Sequence, residues 1–140
     1  MNINELVEVI KDITLDDINC NSFHVGNTWD MSTGKADIYP NLWLELPLLV
    51  DYNNVGKPNK QFTFSVDIIT LAKPDDVNDE IYQTSCMEEL ADAFLQYLKR
   101  NTDFHLIETS TGLSIKNINA DNACGIRVDI RLNTPRVCLT

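Results

Sequence analysis

Three stretches of alternating hydrophobic residues decide the fold of this chain: LWLELPL over residues 42–48, FTFSVDI over 62–68 and IRVDIRL over 126–132. In each stretch an apolar residue occupies every second position, which is the period of a β-strand with one buried face. We therefore predict three strands that share a hydrophobic core on one side of a sheet. The alternate positions of the last stretch carry arginine and aspartate, so we expect that face to point outward.

The N-terminal segment shows the period of an amphipathic helix. Over residues 3–14, apolar side chains recur at intervals of three and four, which places them on one stripe. Asn2 precedes the stripe and Glu5 follows three residues later, the spacing in which two side chains cap a first turn. Two aspartates come next, and acidic charge is unfavourable at a helix C-terminus, so we expect the helix to end by Thr14.

A second amphipathic helix is predicted over residues 85–100, between the second and third strong strands. Ser85 and Glu88 have the spacing of a capping box, and an apolar stripe follows them. Lys99 and Arg100 suit the negative end of the helix dipole, so we predict that the helix ends there. A helix of this length can lie across a sheet of three or four strands.

The connections contain weaker strand signals. A short strand is predicted at Ser22–Val25, and further strand-forming residues lie around 104–107 and 113–118. A polar loop over residues 51–59 joins the first two strong strands into a hairpin that spans residues 42–68. Such a loop is long for a hairpin and often projects from the surface to carry contacts, although a tolerated insertion explains it equally well.

These elements define an α+β fold: an antiparallel sheet with a long hairpin, one central helix packed on it, and an N-terminal helix. A chain of 140 residues has the size of one domain, so residues 1–140 are predicted to form a single unit. The longest apolar run, residues 42–50, is interrupted by Glu45 and Pro47 and is shorter than the roughly 20 residues of a membrane helix. The chain begins without the features of a signal peptide, so we expect neither export nor membrane insertion.

The charge of the chain is acidic and unevenly distributed. The formal net charge is −10, and residues 1–98 carry 17 of the 21 acids but only 5 of the 11 lysines and arginines. An acidic body argues against nucleic acid as an adhesive partner, because affinity for nucleic acid comes from neutralising its phosphates. It is compatible with a wall past which DNA moves, although solubility is the commoner reason for an acidic domain.

The sequence shows no catalytic or metal-binding motif. The two histidines, His24 and His105, belong to no nucleophile–base pattern, and the five glycines are isolated rather than grouped in a phosphate-binding loop. The four cysteines lack the close spacing of zinc or redox sites, and the acidic turn over residues 75–80 lacks the glycine and distal glutamate of a calcium loop. We therefore expect reduced thiols, no metal, no cofactor and no enzymatic activity.

The two tryptophans, Trp29 and Trp43, are candidate anchors for a partner. Trp43 lies on the face of its strand opposite to the leucines. A large aromatic side chain there is either covered by a helix or left for a partner. The N-terminal helix is one candidate for the cover, so both interpretations stay open.

The order of elements resembles that of the tail-terminator and head-to-tail connector proteins of tailed bacteriophages. The features that carry the resemblance are the N-terminal helix, the hairpin over 42–68 with its loop, the helix over 85–100, and the last strand over 125–132 before Pro135. The resemblance is one of layout and covers most of the chain. It implies a structural virion protein that forms a homo-oligomeric ring at the neck or tail end, around a channel that DNA crosses.

This role implies a location and a set of partners. The protein is then made in the cytoplasm of the bacterial host and incorporated into the virion. Its partners are copies of itself and portal, neck or tail-tube proteins, while DNA passes through the lumen without sequence-specific binding and no membrane is involved. The family has no short diagnostic motif, so the resemblance assigns no role to an individual residue.

A closed ring needs a heterologous interface, in which one surface of a subunit meets a different surface of the next. We expect the acidic helix face of Glu88 and Asp92 to meet the strand face of Arg127 and Arg131 on the neighbour. Complementary charge would set the register of this contact more than its affinity. Reversing the charge of both arginines is predicted to impair assembly and to leave the fold intact.

The hairpin loop is a second candidate for contact between subunits. Tyr52 and Asn54 lie in this loop, and a projecting loop or an edge strand is able to extend onto a neighbouring subunit. We therefore include both residues in the predicted interface.

Two other classes of protein fit the same features. Chaperones of bacterial type III secretion are acidic α+β proteins that form dimers and hold an effector segment in an extended conformation. An acidic inhibitor or immunity-type protein would be a stable monomer that binds a basic enzyme in a salt-sensitive way. Oligomeric state separates these alternatives from a ring.

Overall fold

The computed structural model describes residues 1–27, 30–31, 38–52, 59–101, 106–116 and 121–135. Its elements follow in the order α1 (Ile3–Asp12), β1 (Ser22–Asn27), β2 (Asn41–Leu46), β3 (Leu49–Asp51), β4 (Asn59–Thr70), α2 (Val77–Arg100), β5 (Leu106–Ile115) and β6 (Cys124–Pro135). A π-helical turn over Ile13–Asp17 directly follows α1. The predicted α+β class is confirmed.

Six strands form one mixed sheet. Its order is β1, β2, β4, β6, β5, and the short β3 pairs with β4 outside this path. β1 runs parallel to β2, and the other described pairings are antiparallel. The prediction of an antiparallel sheet is therefore wrong at one edge. A parallel pair needs a crossover of about a dozen residues or more, and the connection over residues 28–40 is long enough to supply it.

The predicted hairpin is present, but its first strand is interrupted. β2 pairs with β4 through Leu42 opposite Ile68, and β3 pairs with the same strand through Leu49 opposite Thr63. The single strand predicted over residues 42–48 ends at β2, because Pro47 has no amide hydrogen to donate to a ladder. Most of the predicted hairpin loop, residues 53–58, lies outside the described residues.

α1 begins as predicted and ends differently. The Asn2 side chain accepts a hydrogen bond from the Glu5 backbone N–H at 2.8 Å, and the Glu5 carboxylate accepts one from the Asn2 N–H at 3.0 Å. The predicted end at Thr14 is wrong, because the chain continues as a π-helical turn to Asp17. Thr14 is buried, and its hydroxyl donates to the Ile10 carbonyl at 2.7 Å, so packing outweighs the unfavourable charge of the aspartates.

α2 begins about two turns before the predicted start at Ser85. The Asp76 carboxylate caps it by accepting from the Asp79 backbone N–H at 3.0 Å. Ser85 lies inside the helix, where its hydroxyl donates to the Ile81 carbonyl at 2.9 Å, so the predicted capping box is wrong. The first two turns bury no side chain and therefore show no apolar stripe, since the buried positions begin at Met87. The predicted end near Arg100 is confirmed.

The core lies between both described helices and one face of the sheet. Alternate residues of the three predicted strands point into it, as their spacing indicates. Its largest fully buried side chains are Leu6, Ile10, Leu42, Leu44, Phe62, Ile68, Phe94, Leu98, Ile130 and Leu132. Burying each of these stabilises the fold by about 1.5–3 kcal/mol. Leu46, predicted to face the core, is 38% exposed at the end of β2.

β5 and β6 close the other side of the sheet. The strand signals predicted in two pieces form one strand, β5, which pairs with β6 along its length. Of the predicted residues in this region, 104–105 and 117–118 lie outside the described part. β6 also packs tightly on β4, because a Cβ on Gly125 would overlap the carbonyl oxygen of Ile68. β1 and β5 form the two edges of the sheet.

Candidate functional site

The two faces of the sheet differ in chemistry. The buried residues of both described helices belong to the core on one face. On the opposite face, the cross-strand pairs of β4 and β6 are polar: Thr63–Arg131, Ser65–Asp129 and Asp67–Arg127. We call this opposite face the polar face. It carries the outward-pointing residues that the sequence predicts for the last strand.

A charge cluster lies on the polar face across three neighbouring strands. The Arg127 Nε on β6 donates to Oδ1 of Asp67 on β4 at 2.8 Å, and Arg127 Nη2 lies 3.3 Å from Oε1 of Glu45 on β2. The Asp67 side chain is 0% exposed, whereas Glu45 is 14% and Arg127 is 27% exposed. One cation is therefore shared by two carboxylates in a place that water reaches poorly.

The protonation of Asp67 follows from this environment. Burial, the largest cause, and the negative charge of Glu45 raise the pKa of the Asp67 carboxyl, while Arg127 lowers it, and the net result is a rise from 3.8 to about 7. Burial lowers the pKa of Arg127, but the neighbouring carboxylates outweigh this effect and raise it, so the guanidinium stays charged. One cation neutralises only one of the two carboxylates. The buried Asp67 carboxyl therefore takes up a proton more readily than an ordinary carboxylate does.

A proton on Asp67 accounts for an unpaired atom in the cluster. Asp67 Oδ2 is buried and accepts no hydrogen bond. Glu45 is within hydrogen-bond reach of Asp67, and that contact favours the protonated form. A protonated Asp67 donates to the Glu45 carboxylate, which satisfies the buried oxygen.

Trp43 is covered by β1 and not by α1. Its ring stacks on His24 with centroids 5.4 Å apart, and its Nε1 donates to the Gly26 carbonyl at 3.1 Å. Asn41 Nδ2 donates to Nδ1 of His24 at 2.7 Å, which fixes the imidazole in the stack. Trp43 is only 9% exposed, so this side chain is not a free anchor for a partner. Trp29 lies outside the described residues.

The residues predicted for a subunit interface fall on different sides of the sheet. Glu88 and Asp92 are exposed on α2, where they line a groove beside β5 on the helical side. Arg131 is exposed on the polar face. Tyr52 follows β3 and is 57% exposed, and Asn54 lies outside the described residues.

Arg127 belongs to the internal charge cluster, which corrects one expectation. Reversing its charge would place a third acid beside Asp67 and Glu45, so the fold is not expected to stay intact. The sequence signal for this cluster is weak, because Asp67 occupies one of the alternate positions of β4 that the pattern assigns to the outward face. The signal did not identify the partner, since Asp67 and Arg127 are distant in the chain.

A metal centre and a membrane-spanning helix each have definite structural requirements. Within this part of the chain, no group of three or more histidine, cysteine, aspartate and glutamate side chains is placed to hold a metal ion. No helix among the described residues is long and apolar enough to cross a membrane. His105, the second histidine, lies outside them.

No protein-family model matches the chain, and no curated protein matches it either. The fold and the surfaces of the molecule therefore carry the functional inference.

Proposed function

We propose that this protein is a structural component of a tailed-bacteriophage virion, a head-to-tail connector or tail terminator that forms a homo-oligomeric ring around the DNA channel. The observation that carries the proposal is the two-sided sheet, with helices packed on one face and polar, charged side chains on the other. Each subunit of a closed ring presents two different surfaces to its two neighbours. A domain with a helical side and a polar side meets this requirement.

The order of elements and the charge support the same role. In the structure, the N-terminal helix is followed by the hairpin strands, the central helix and the late strand. This is the order proposed for the connector proteins that the chain resembles. A net charge of −10 suits a wall that DNA passes without adhesion, because an acidic surface neutralises no phosphates. In this proposal the protein is made in the host cytoplasm and contacts portal, neck or tail-tube proteins in the virion.

The proposed contact between subunits uses Arg131 and not Arg127. Arg131 is exposed on the polar face, whereas Arg127 is bound to Asp67 and Glu45 of its own subunit. The exposed Tyr52 is a second contributor, because it is 57% accessible next to β3 and tyrosine is enriched at protein interfaces.

Light scattering behind size exclusion, with negative-stain imaging of the same peak, tests the proposal. We expect a ring, or a monomer that assembles into rings as its concentration rises. The variant Arg131→Glu is expected to weaken assembly, and Lys11→Glu, an exposed charge reversal on α1, is the matched control. A two-fold dimer would contradict the ring and favour the chaperone alternative. A monomer at every concentration that binds a basic enzyme would favour the inhibitor.

A further inference from the structure

The free edge of β5 is an open site for strand pairing. β5 is an edge strand, and its outer side pairs with no other strand in the described part of the chain. From Thr109 to Ile115 it keeps an unbroken register with β6, so its free N–H and C=O groups form a regular row. Natural edge strands are usually protected by lysine, proline or a bulge. Residues 109–115 contain neither lysine nor proline, and the register shift of β5 lies before them.

Two pockets lie one after the other between α2 and β5, and we call them together the groove. α2 and β5 lie antiparallel there, because the early helix residues face the end of β5 and the later ones face its middle. The cavity beside the early turns has a volume of about 430 Å³. The β5 residues on this side are small: Ser110, Gly112 and Ser114. They leave room above the strand for the side chains of a neighbouring segment.

The α2 wall of the groove is acidic. Glu80, Glu88 and Asp92 line it, and in the described part of the chain Glu80 has one weak ion pair, with the exposed Lys116 at 4.0 Å. At 1.5 Å per residue, Glu80 and Glu88 lie about 12 Å apart along the helix, and Glu88 and Asp92 about 6 Å apart. Side chains on one face of a strand repeat about every 6.7 Å. The spacing of the acids therefore matches two repeats and one repeat of a strand laid beside β5.

We propose that this groove docks an extended basic segment of another protein, which adds to the sheet as a strand on the free edge of β5. The backbone of the segment pairs with the open row of β5, and its lysine or arginine side chains reach across the small residues to Glu80, Glu88 and Asp92. The docking goes beyond the proposed function and does not depend on ring formation. It reassigns Glu88 and Asp92 from the contact between subunits to the contact with a neighbouring protein.

The occupant is a different protein and not a second copy of this chain. The other described strands with a free edge, β1 and β3, contain no lysine or arginine, so a second copy has no basic edge strand to offer. A second copy also brings the same net charge of −10. A basic segment complements the acidic wall, and complementary charge speeds the encounter and fixes the register.

Fluorescence anisotropy of a labelled peptide with the full chain tests the docking. The probe has nine residues, with lysine at its first, third and seventh positions and threonine or valine elsewhere, so all three cations lie on one face of a strand. The control peptide has the same composition, with lysine at the first, fourth and seventh positions, which divides the cations between two faces. We expect the control to bind about threefold more weakly than the probe, because one of the three ion pairs is lost.

Variants of the chain and of the probe separate the two parts of the contact. Glu88→Gln combined with Asp92→Asn is expected to weaken probe binding about tenfold, because two ion pairs are lost. Glu8→Gln with Asp12→Asn removes an exposed pair of the same types and spacing from α1 and is expected to change nothing. Methylating alternate backbone nitrogens of the probe is expected to abolish binding, because it removes the donors that pair with β5.

Four outcomes would overturn the docking: equal affinity of the two peptides, full-strength binding of the methylated probe, no effect of the α2 variant, or no binding at millimolar peptide. If the Glu88 and Asp92 substitutions prevent ring assembly but leave peptide binding unchanged, the docking fails and the ring proposal stands. If the chain binds the oriented probe with the expected losses but never forms rings, the docking stands and the ring proposal fails.

Discussion

The guanidinium of Arg127 on β6 donates through Nε to Oδ1 of Asp67 on β4 at 2.8 Å, on the face of the sheet opposite the hydrophobic core. These are the two longest strands of the described fold, with 12 residues each. Glu45 on β2 joins the same guanidinium, so one side chain bridges three adjacent strands where neither described helix contributes to packing. The cluster thus links three strands through ionic contacts, so its contribution to stability depends on the charges of its members.

Removing the guanidinium is expected to destabilise the fold. Arg127→Met would leave Asp67 and Glu45 close together without a cation, so we expect a loss of about 2–4 kcal/mol in the free energy of unfolding. Urea denaturation at neutral pH measures the loss. Arg131→Met, an exposed arginine on the same strand, is the control and is expected to change stability by less than about 0.5 kcal/mol. Similar small losses of stability in both variants would show that Arg127 does not stabilise the fold.

The cluster also predicts how stability depends on pH. The pKa of the Asp67 carboxyl is about 7 in the folded chain and near 3.8 in the unfolded chain. Between these values the folded state holds more protons than the unfolded state, so the contribution of Asp67 to stability is greatest at low pH. It is lost as pH rises toward 7, with a slope of at most about 1.4 kcal/mol per pH unit.

The variant Asp67→Asn isolates this contribution. Asparagine still accepts from Arg127 and donates to Glu45, as the protonated acid does, but it does not titrate. We therefore expect the free energy of unfolding of the variant to increase relative to that of the natural chain as pH rises from about 5 to 8. Urea denaturation series of the two proteins, measured side by side, test this. Parallel pH profiles for the two proteins would contradict a raised pKa of Asp67.

Much of the fold was predictable because local patterns specify local structure. The alternating stretches gave the core faces of β2, β4 and β6, and the caps around Asn2 located the start of α1. Hydrophobic periodicity did not predict the first turns of α2, because Ile81 and Tyr82 are 61% and 64% exposed and form no buried stripe. An apolar stripe is present in the sequence only where one face of the helix packs against the rest of the protein.

The charge cluster was less predictable than the fold, because it depends on strand order. Glu45, Asp67 and Arg127 come from three strands that alternation describes separately, and alternation does not specify which strands are neighbours. Alternation likewise does not predict that β1 lies parallel to β2, because that pairing depends on the long connection between them. Asp67 occupies an alternate, outward position of β4, so the strand pattern does not indicate that its carboxylate is buried against a partner.

The start of α2 can be tested by its cap. Asp76→Ala removes the carboxylate that accepts from the Asp79 N–H, so we expect a loss of about 1 kcal/mol in thermal or urea unfolding. Ser85→Ala is the comparison, because Ser85 is exposed inside the helix and is expected to cost less than about 0.5 kcal/mol. A larger loss from Ser85→Ala would instead support a helix that begins at Ser85.

Thiol reactivity checks the packing around the described cysteines. Cys20 and Cys124 are 4% and 2% exposed, and burial raises the pKa of both thiols, that of Cys20 from 9.0 to about 11. At pH 8 the thiolate fraction of Cys20 is therefore about 100-fold smaller than that of an ordinary thiol, while Cys86 is partly exposed. In a Cys138→Ser background, we expect one thiol to react quickly with a disulfide reagent and two more to react only in urea. Cys86→Ser in that background should abolish the fast phase, and three equally fast thiols would contradict the burial of Cys20 and Cys124.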